Sequence, residues 1–105
     1  MNEQALRGYL NLARKAGRLA LGFRAVRQAL AQGRCELLVL ALDAGESLQR
    51  LDRGDLPVIR PADKTILGEW FGRGELSVIG VTDPHLAGAM VKASQAPGND
   101  PASGR

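Results

Sequence analysis

Over the first 16 positions, apolar residues recur at helical spacing. Leu6, Tyr9, Leu10 and Ala13 fall on one side while Arg7, Asn11, Arg14 and Lys15 gather on another, so residues 4–16 read as an amphipathic helix. Gly17 is its natural stop, and Arg18-Leu19-Ala20-Leu21 is a short extended piece ending at Gly22. A second helix fits residues 23–32. On a wheel of about 100° per residue, Phe23, Val26 and Leu30 share a side that should face the core. Arg24, Arg27, Gln28 and Ala31 occupy the other side, and Gly33 closes the helix.

The unbroken apolar run Leu37 to Leu42 suits a central strand covered on both faces. Asp43 is placed to open a short helix at 46–52, and Pro57-Val58-Ile59 is a brief strand. Asp63 can cap a helix at 64–72 whose apolar side is Ile66, Leu67, Trp70 and Phe71. Ser77 to Thr82 reads as the last strand. Asp83-Pro84 then supplies a cap and a first-turn proline for a helix at 84–94, with Leu86, Ala87, Met90 and Val91 inward.

Helices alternating with short strands predict a three-layer α/β/α sandwich. Residues 1–94 form one expected domain, without internal repeat. Residues 95–105 have nothing to bury and are expected to be a flexible tail.

Composition sets limits on function. At 45% apolar residues the chain can bury a core, but four aromatics are few for a single-strand binder built on stacked bases. Cys35 is the single cysteine, which rules out an internal disulfide or a cysteine-rich zinc site. No apolar run approaches the roughly 20 residues of a membrane span, and no secretory signal is evident at the start. A cytoplasmic setting with no membrane partner is expected.

Charge sharpens the picture. The first 34 residues carry seven basic side chains against one acid, a net +6, and the remainder carries seven against ten. Charge sorted in this way speaks about partners, and a polyanion is the obvious one. Gly22 permits a tight strand-to-helix turn, and the amides after it lie at the positive end of a helix dipole. Arg24 and Arg27 add forked donors suited to phosphate oxygens. Arg14, Lys15 and Arg18 are close in sequence and extend the candidate patch. Any solvated helix face can carry two arginines; the scarcity of acids in this third is what favours a nucleic acid.

Other chemistry has little support. Glycines at 68 and 72 are explained by close packing at the first and a helix stop at the second. His85 has no nucleophile at a recognisable spacing, and capping accounts for both Asp43 and Asp83. There is no phosphate-loop motif, dinucleotide fingerprint or metal-ligand cluster, so neither catalysis nor a cofactor is expected.

The run Leu10-Asn11-Leu12-Ala13-Arg14-Lys15-Ala16-Gly17-Arg18-Leu19-Ala20-Leu21-Gly22-Phe23 resembles the opening of the bacterial YlxQ family. These proteins are similar to the kink-turn-binding ribosomal proteins (ribosomal protein L-seven-Ae and relatives). The likeness continues through Val26 to Leu30, Gly33-Arg34, Asp43-Ala44, Leu67-Gly68, Gly72-Arg73 and Val81-Thr82-Asp83. It implies a sandwich around a four-stranded mixed sheet. It also implies RNA binding through the start of the second helix and the loop before the last strand. By position, the RNA side would comprise Gly22, Phe23, Arg24, Arg27 and Gln28, with Arg73, Gly74, Glu75, Leu76 and Ser77 from the loop.

One departure stands out. Strong kink-turn binders carry Gly-x-Asn-Glu-x-x-Lys at the turn, where this chain reads Gly22-Phe23-Arg24-Ala25-Val26-Arg27-Gln28. The amide and carboxylate that read sheared G·A pairs are missing, while backbone-directed attraction survives. The expectation is a monomeric, non-enzymatic protein that binds structured RNA and associates with ribosomal or ribonucleoprotein partners. An interaction module docking an acidic protein on the same face is the alternative.

Overall fold

The computed structural model describes residues 1–49, 51 and 53–96. In chain order the elements are α1 (Glu3–Lys15), β1 (Leu19–Leu21), α2 (Phe23–Ala31), β2 (Leu37–Leu40), α3 (Glu46–Gln49), β3 (Val58–Ile59), α4 (Lys64–Trp70), β4 (Val78–Val81) and α5 (Pro84–Gln95). Residues 50 and 52 of the expected third helix, and 97–105 of the expected tail, lie outside the described residues.

The sheet has the order β1-β4-β2-β3. β4 runs antiparallel to both neighbours, with Leu19 opposite Val81 in β1 and Leu40 opposite Val78 in β2. β2 and β3 are parallel, so the sheet is mixed. Every residue of β2 and β4 is buried, as unbroken apolar runs between two helical layers should be.

α2 lies over β1 and β4 on the face that carries Gly80. A methyl at Gly80 would sit 3.2 Å from Cys35 Sγ and 3.4 Å from Val26 Cγ2, so glycine lets helix and sheet approach closely. α1 and α5 pack on each other and against β1 and β4 from the other side, completing three layers. The Asn2 amide donates to the Ala93 carbonyl at 2.8 Å, which ties the start of α1 to the end of α5. Leu6, Leu10, Ala13 and Met90 supply the buried surface between sheet and helices.

Four expectations change. Phe23 is 41% exposed, because it occupies the first turn of α2 beyond the end of β1; Val26 and Ala29, further along the helix, take the core positions. β2 ends at Leu40, where pairing with Val78 stops, and Leu42 is 63% exposed. Ile66 is 39% exposed, whereas Phe71, one residue past α4, is buried. Asp43 also differs in role: its Oδ1 accepts from the Lys64 amide at 2.9 Å, 21 residues away, so it serves the start of α4. Cys35 behaves as expected of a small core group; burial pushes its thiol pKa up, and Sγ donates to the Leu37 carbonyl.

Candidate nucleic-acid interface

The turn between β1 and α2 is possible because residue 22 is glycine. Gly22 has φ 91° and ψ 166°, a region open essentially to glycine alone. Its amide donates to the Val78 carbonyl at 3.0 Å, and its carbonyl receives the first helical bond, from the Val26 amide. A helix start leaves four N–H groups without an acceptor within the helix. Here the amides of Phe23, Arg24 and Ala25 remain, and Gly22 provides no side-chain cap. Among the described residues no side chain caps the positive end of α2, and the exposed Arg24 and Arg27 lie on the same helix.

The second half of the site is the segment between α4 and β4. Gly72, at φ 70°, turns the chain out of the helix, and the Arg73 amide bonds back to the Gly68 carbonyl at 2.8 Å. Gly68 is buried, and a methyl there would lie 2.8 Å from the Gly74 carbonyl oxygen. The loop is thus pressed onto α4 at a point only glycine accommodates. Two further bonds fix its far side: Leu76 N to Lys64 O at 3.0 Å, and Ala41 N to Ser77 O at 2.9 Å.

These constraints bring loop and turn together. Gly22 and Phe23 share an open groove of about 350 Å³ with Leu48, Arg73, Glu75, Leu76, Ser77 and Val78. Among the described residues that line it, Glu75 is the one carboxylate, and Lys64 Nζ lies 3.9 Å from it across an exposed surface. The resemblance implies that both segments lie on one RNA side, and they are neighbours here because β1 pairs with β4. Leu48, from α3, is a groove residue that sequence reasoning missed; no charge or motif marks it.

The remaining candidates are distributed more widely. Gln28 is exposed on α2 beyond Arg24. Arg14 places its guanidinium 5.5 Å from the centre of the Phe71 ring, and Arg7 does the same over Trp70 at 5.1 Å. Such contacts hold α1 to α4 and occupy one face of each cation. Lys15 and Arg18 are exposed, and Arg18 lies at the opposite end of β1 from Gly22, its carbonyl accepting from Thr82 N. A strand rise of about 3.3 Å per residue puts Arg18 and Gly22 roughly 13 Å apart.

Neither of the acids that follow apolar strands faces the groove as a reactive group. Asp83 accepts from the Leu86 amide at 2.9 Å. That bond, with the His85 amide and the charges of His85 and Arg18, holds its carboxyl below the usual range against a smaller opposing effect of desolvation. Among the described residues there is no cluster of His, Cys, Asp and Glu suited to a metal, and no helix is long and apolar enough to cross a membrane.

Comparison with known proteins bears on this arrangement. Among solved structures, a protein of unknown function from Bacillus halodurans superposes with a TM-score of 0.76 at 28% identity, covering 87% of this chain and 97% of that one. A 15.5kD RNA binding protein from Giardia lamblia superposes with a TM-score of 0.65 at 17% identity, covering 89% and 84%. No curated protein matches significantly. The family model of the Ribosomal protein L7Ae/L30e/S12e/Gadd45 family matches residues 4–90, nearly the whole of the folded region, and the chain belongs to that family.

Proposed function

We propose that this chain is a non-enzymatic, cytoplasmic RNA-binding protein of the YlxQ type, associated with ribosomes or ribonucleoproteins. The open start of α2 carries the reading. Three amides without helical acceptors point away from the element, and Arg24 and Arg27 accompany them on its exposed side. The groove shared with Arg73, Leu76 and Ser77 extends the surface. An RNA phosphate placed at the turn gains the amides, the helix dipole and a forked guanidinium together. Family membership and the RNA-binding protein of the same fold support this reading.

Binding is directed mainly at the backbone and shape of a structured RNA. Arg24, Ala25 and Gln28 do not supply the amide, carboxylate and ammonium that read a kink-turn. Arg14, Lys15 and Arg18 add attraction at longer range rather than contacts in the groove.

The test is titration of a labelled, structured RNA with the wild-type protein and with an Arg24→Ala, Arg27→Ala double variant. Affinity should fall roughly 10- to 100-fold, the size of one or two lost charge-assisted bonds. Unchanged affinity removes the site assignment. A cellular partner that stays bound after nuclease digestion points to an acidic protein instead.

A further inference from the structure

α1 carries chemistry that lies outside the groove. Its buried side is Leu6, Leu10 and Ala13, and beside it stand the exposed Arg7 and Arg14. Arg7 stacks over Trp70 at 5.1 Å from the ring centre, and Arg14 over Phe71 at 5.5 Å. Seven residues of helix put about 10 Å between the two positions. Among the described residues neither cation is ion-paired. Glu3, four residues before Arg7, is placed for a helical ion pair, yet the arginine stacks on Trp70 instead. Stacking fixes one face of each fork and leaves its N–H edges for another partner.

Gly8 lies on the same helix, exposed in its middle. Glycine weakens a helix there, and a methyl added to it would meet nothing within 4 Å, so no packing contact requires it. Its effect is to keep the surface low. An open depression of about 750 Å³ is lined by Gln4, Arg7, Gly8 and Asn11, with Met1 and Glu3 at one end. An open glycine decides nothing alone, since Gly88 on α5 is equally free; at Gly8 it adjoins a fixed guanidinium. Phe71, under Arg14, is two residues from Arg73 of the groove, so the arginine side of α1 continues the basic surface past the loop.

We propose that this side of α1 is a second RNA-contact surface, where Gly8 admits the sugar–phosphate backbone of a duplex stem and Arg7 and Arg14 each take a phosphate. This rests on the RNA-binding reading given above and adds a contact outside the groove, so that affinity depends on the length of the stem adjoining the RNA held at α2. Charge selects this occupant. α1 holds Arg7, Arg14 and Lys15 against Glu3 alone, and a guanidinium fork fits phosphate oxygens. Gln4 and Asn11 line the same depression as Arg7 and offer hydrogen bonds to phosphate oxygens or ribose hydroxyls. Such contacts position an RNA without reading its bases.

The experiment titrates two hairpin RNAs that share one loop, the second with a stem longer by one helical turn, with wild type, Arg7→Met and Gly8→Glu. The wild type should bind the longer RNA more tightly. Arg7→Met keeps an unbranched apolar side chain against Trp70 and removes the charge. Gly8→Glu replaces glycine by a better helix former, so urea unfolding should find it at least as stable as the wild type. Each variant should bind the longer RNA about 10-fold more weakly, the low end for one lost charge-assisted hydrogen bond, and the shorter RNA as the wild type does. Gly88→Glu makes the same change of net charge on α5 and should match the wild type on both RNAs. No preference of the wild type for the longer stem, wild-type affinity of either α1 variant for it, or an equal loss in Gly88→Glu overturns the proposal and leaves RNA binding at the groove intact. An Arg24→Ala, Arg27→Ala variant that binds both RNAs as the wild type does overturns the groove assignment, and failure of the wild type to bind either RNA overturns both readings.

Discussion

α2 and α5 each start soon after a strand, the half-buried β1 and the buried β4, and yet their first turns are built differently. At α5, Asp83 accepts from the Leu86 amide at 2.9 Å and Pro84 removes a second donor. α4 is capped twice, by Asp63 at the Ile66 amide and by Asp43 at the Lys64 amide, and α1 is capped by Asn2 at the Ala5 amide. α2 has a glycine and no cap. The starts of α1, α4 and α5 are thus satisfied by side chains of the chain itself. α2, which starts uncapped, begins at the groove that Arg73 lines and carries the exposed Arg24 and Arg27. Glycine at an N-cap costs only about a few tenths of a kcal/mol relative to Ser, Thr, Asp or Asn, so the open start is tolerable for the fold and leaves its amides available to an anion, as the proposed function requires.

That contrast can be broken from either side. The largest effect is expected at Gly68→Ala. The added methyl would meet the Gly74 and Arg73 carbonyl oxygens at 2.8 and 2.9 Å, so backbone must move. Urea unfolding should show a loss of about 1–3 kcal/mol, and the displaced loop should weaken RNA binding as well. Gly22→Ala comes next. Its methyl meets nothing within 4 Å, so the whole penalty comes from the positive φ of 91°, and the loss should again be of order 1–3 kcal/mol, at the lower end if the turn relaxes. Wild-type stability in that variant would mean that the turn is not held in this conformation.

The smallest effect concerns the capped helix. Because the folded-state pKa of Asp83 is depressed, its contribution to stability is present above the unfolded value of about 3.9 and is lost as pH falls through the folded value. Asp83→Asn should flatten thermal stability against pH in that acid window alone, and should leave RNA affinity near neutral pH unchanged. A fall in RNA affinity for Asp83→Asn would erase the distinction between the two helix starts.

Much of this was legible in the sequence. The apolar run at 37–42 read as a strand buried on both faces, which holds for 37–40, and Asp63 and Asp83 announced their helices by position. Gly68 and Gly72 carried their roles openly, one as a point of close approach and the other as a helix stop. The site was half legible: Gly22, Arg24 and Arg27 are local in sequence and could be read together. What escaped depended on contacts distant in the chain. Periodicity assigned Phe23 to the core because a wheel counts phase and cannot see that the first turn of α2 lies past the end of the sheet. Asp43 precedes a short helix in sequence but serves another, 21 residues on, because β2 ends beside the start of α4. Arg18 is near Gly22 in number, but β1 separates them. Leu48 had no signal, being an ordinary leucine until the fold placed it in the groove.

The central claim is that the open start of α2 binds phosphate with Arg24 and Arg27. It is tested most directly by the salt dependence of RNA affinity in the wild type and in the Arg24→Ala, Arg27→Ala variant. Each duplex phosphate neutralised contributes about −0.9 to the slope of log affinity against log salt, so the variant's slope should be shallower by roughly 1.8. An identical slope in the two proteins would contradict it.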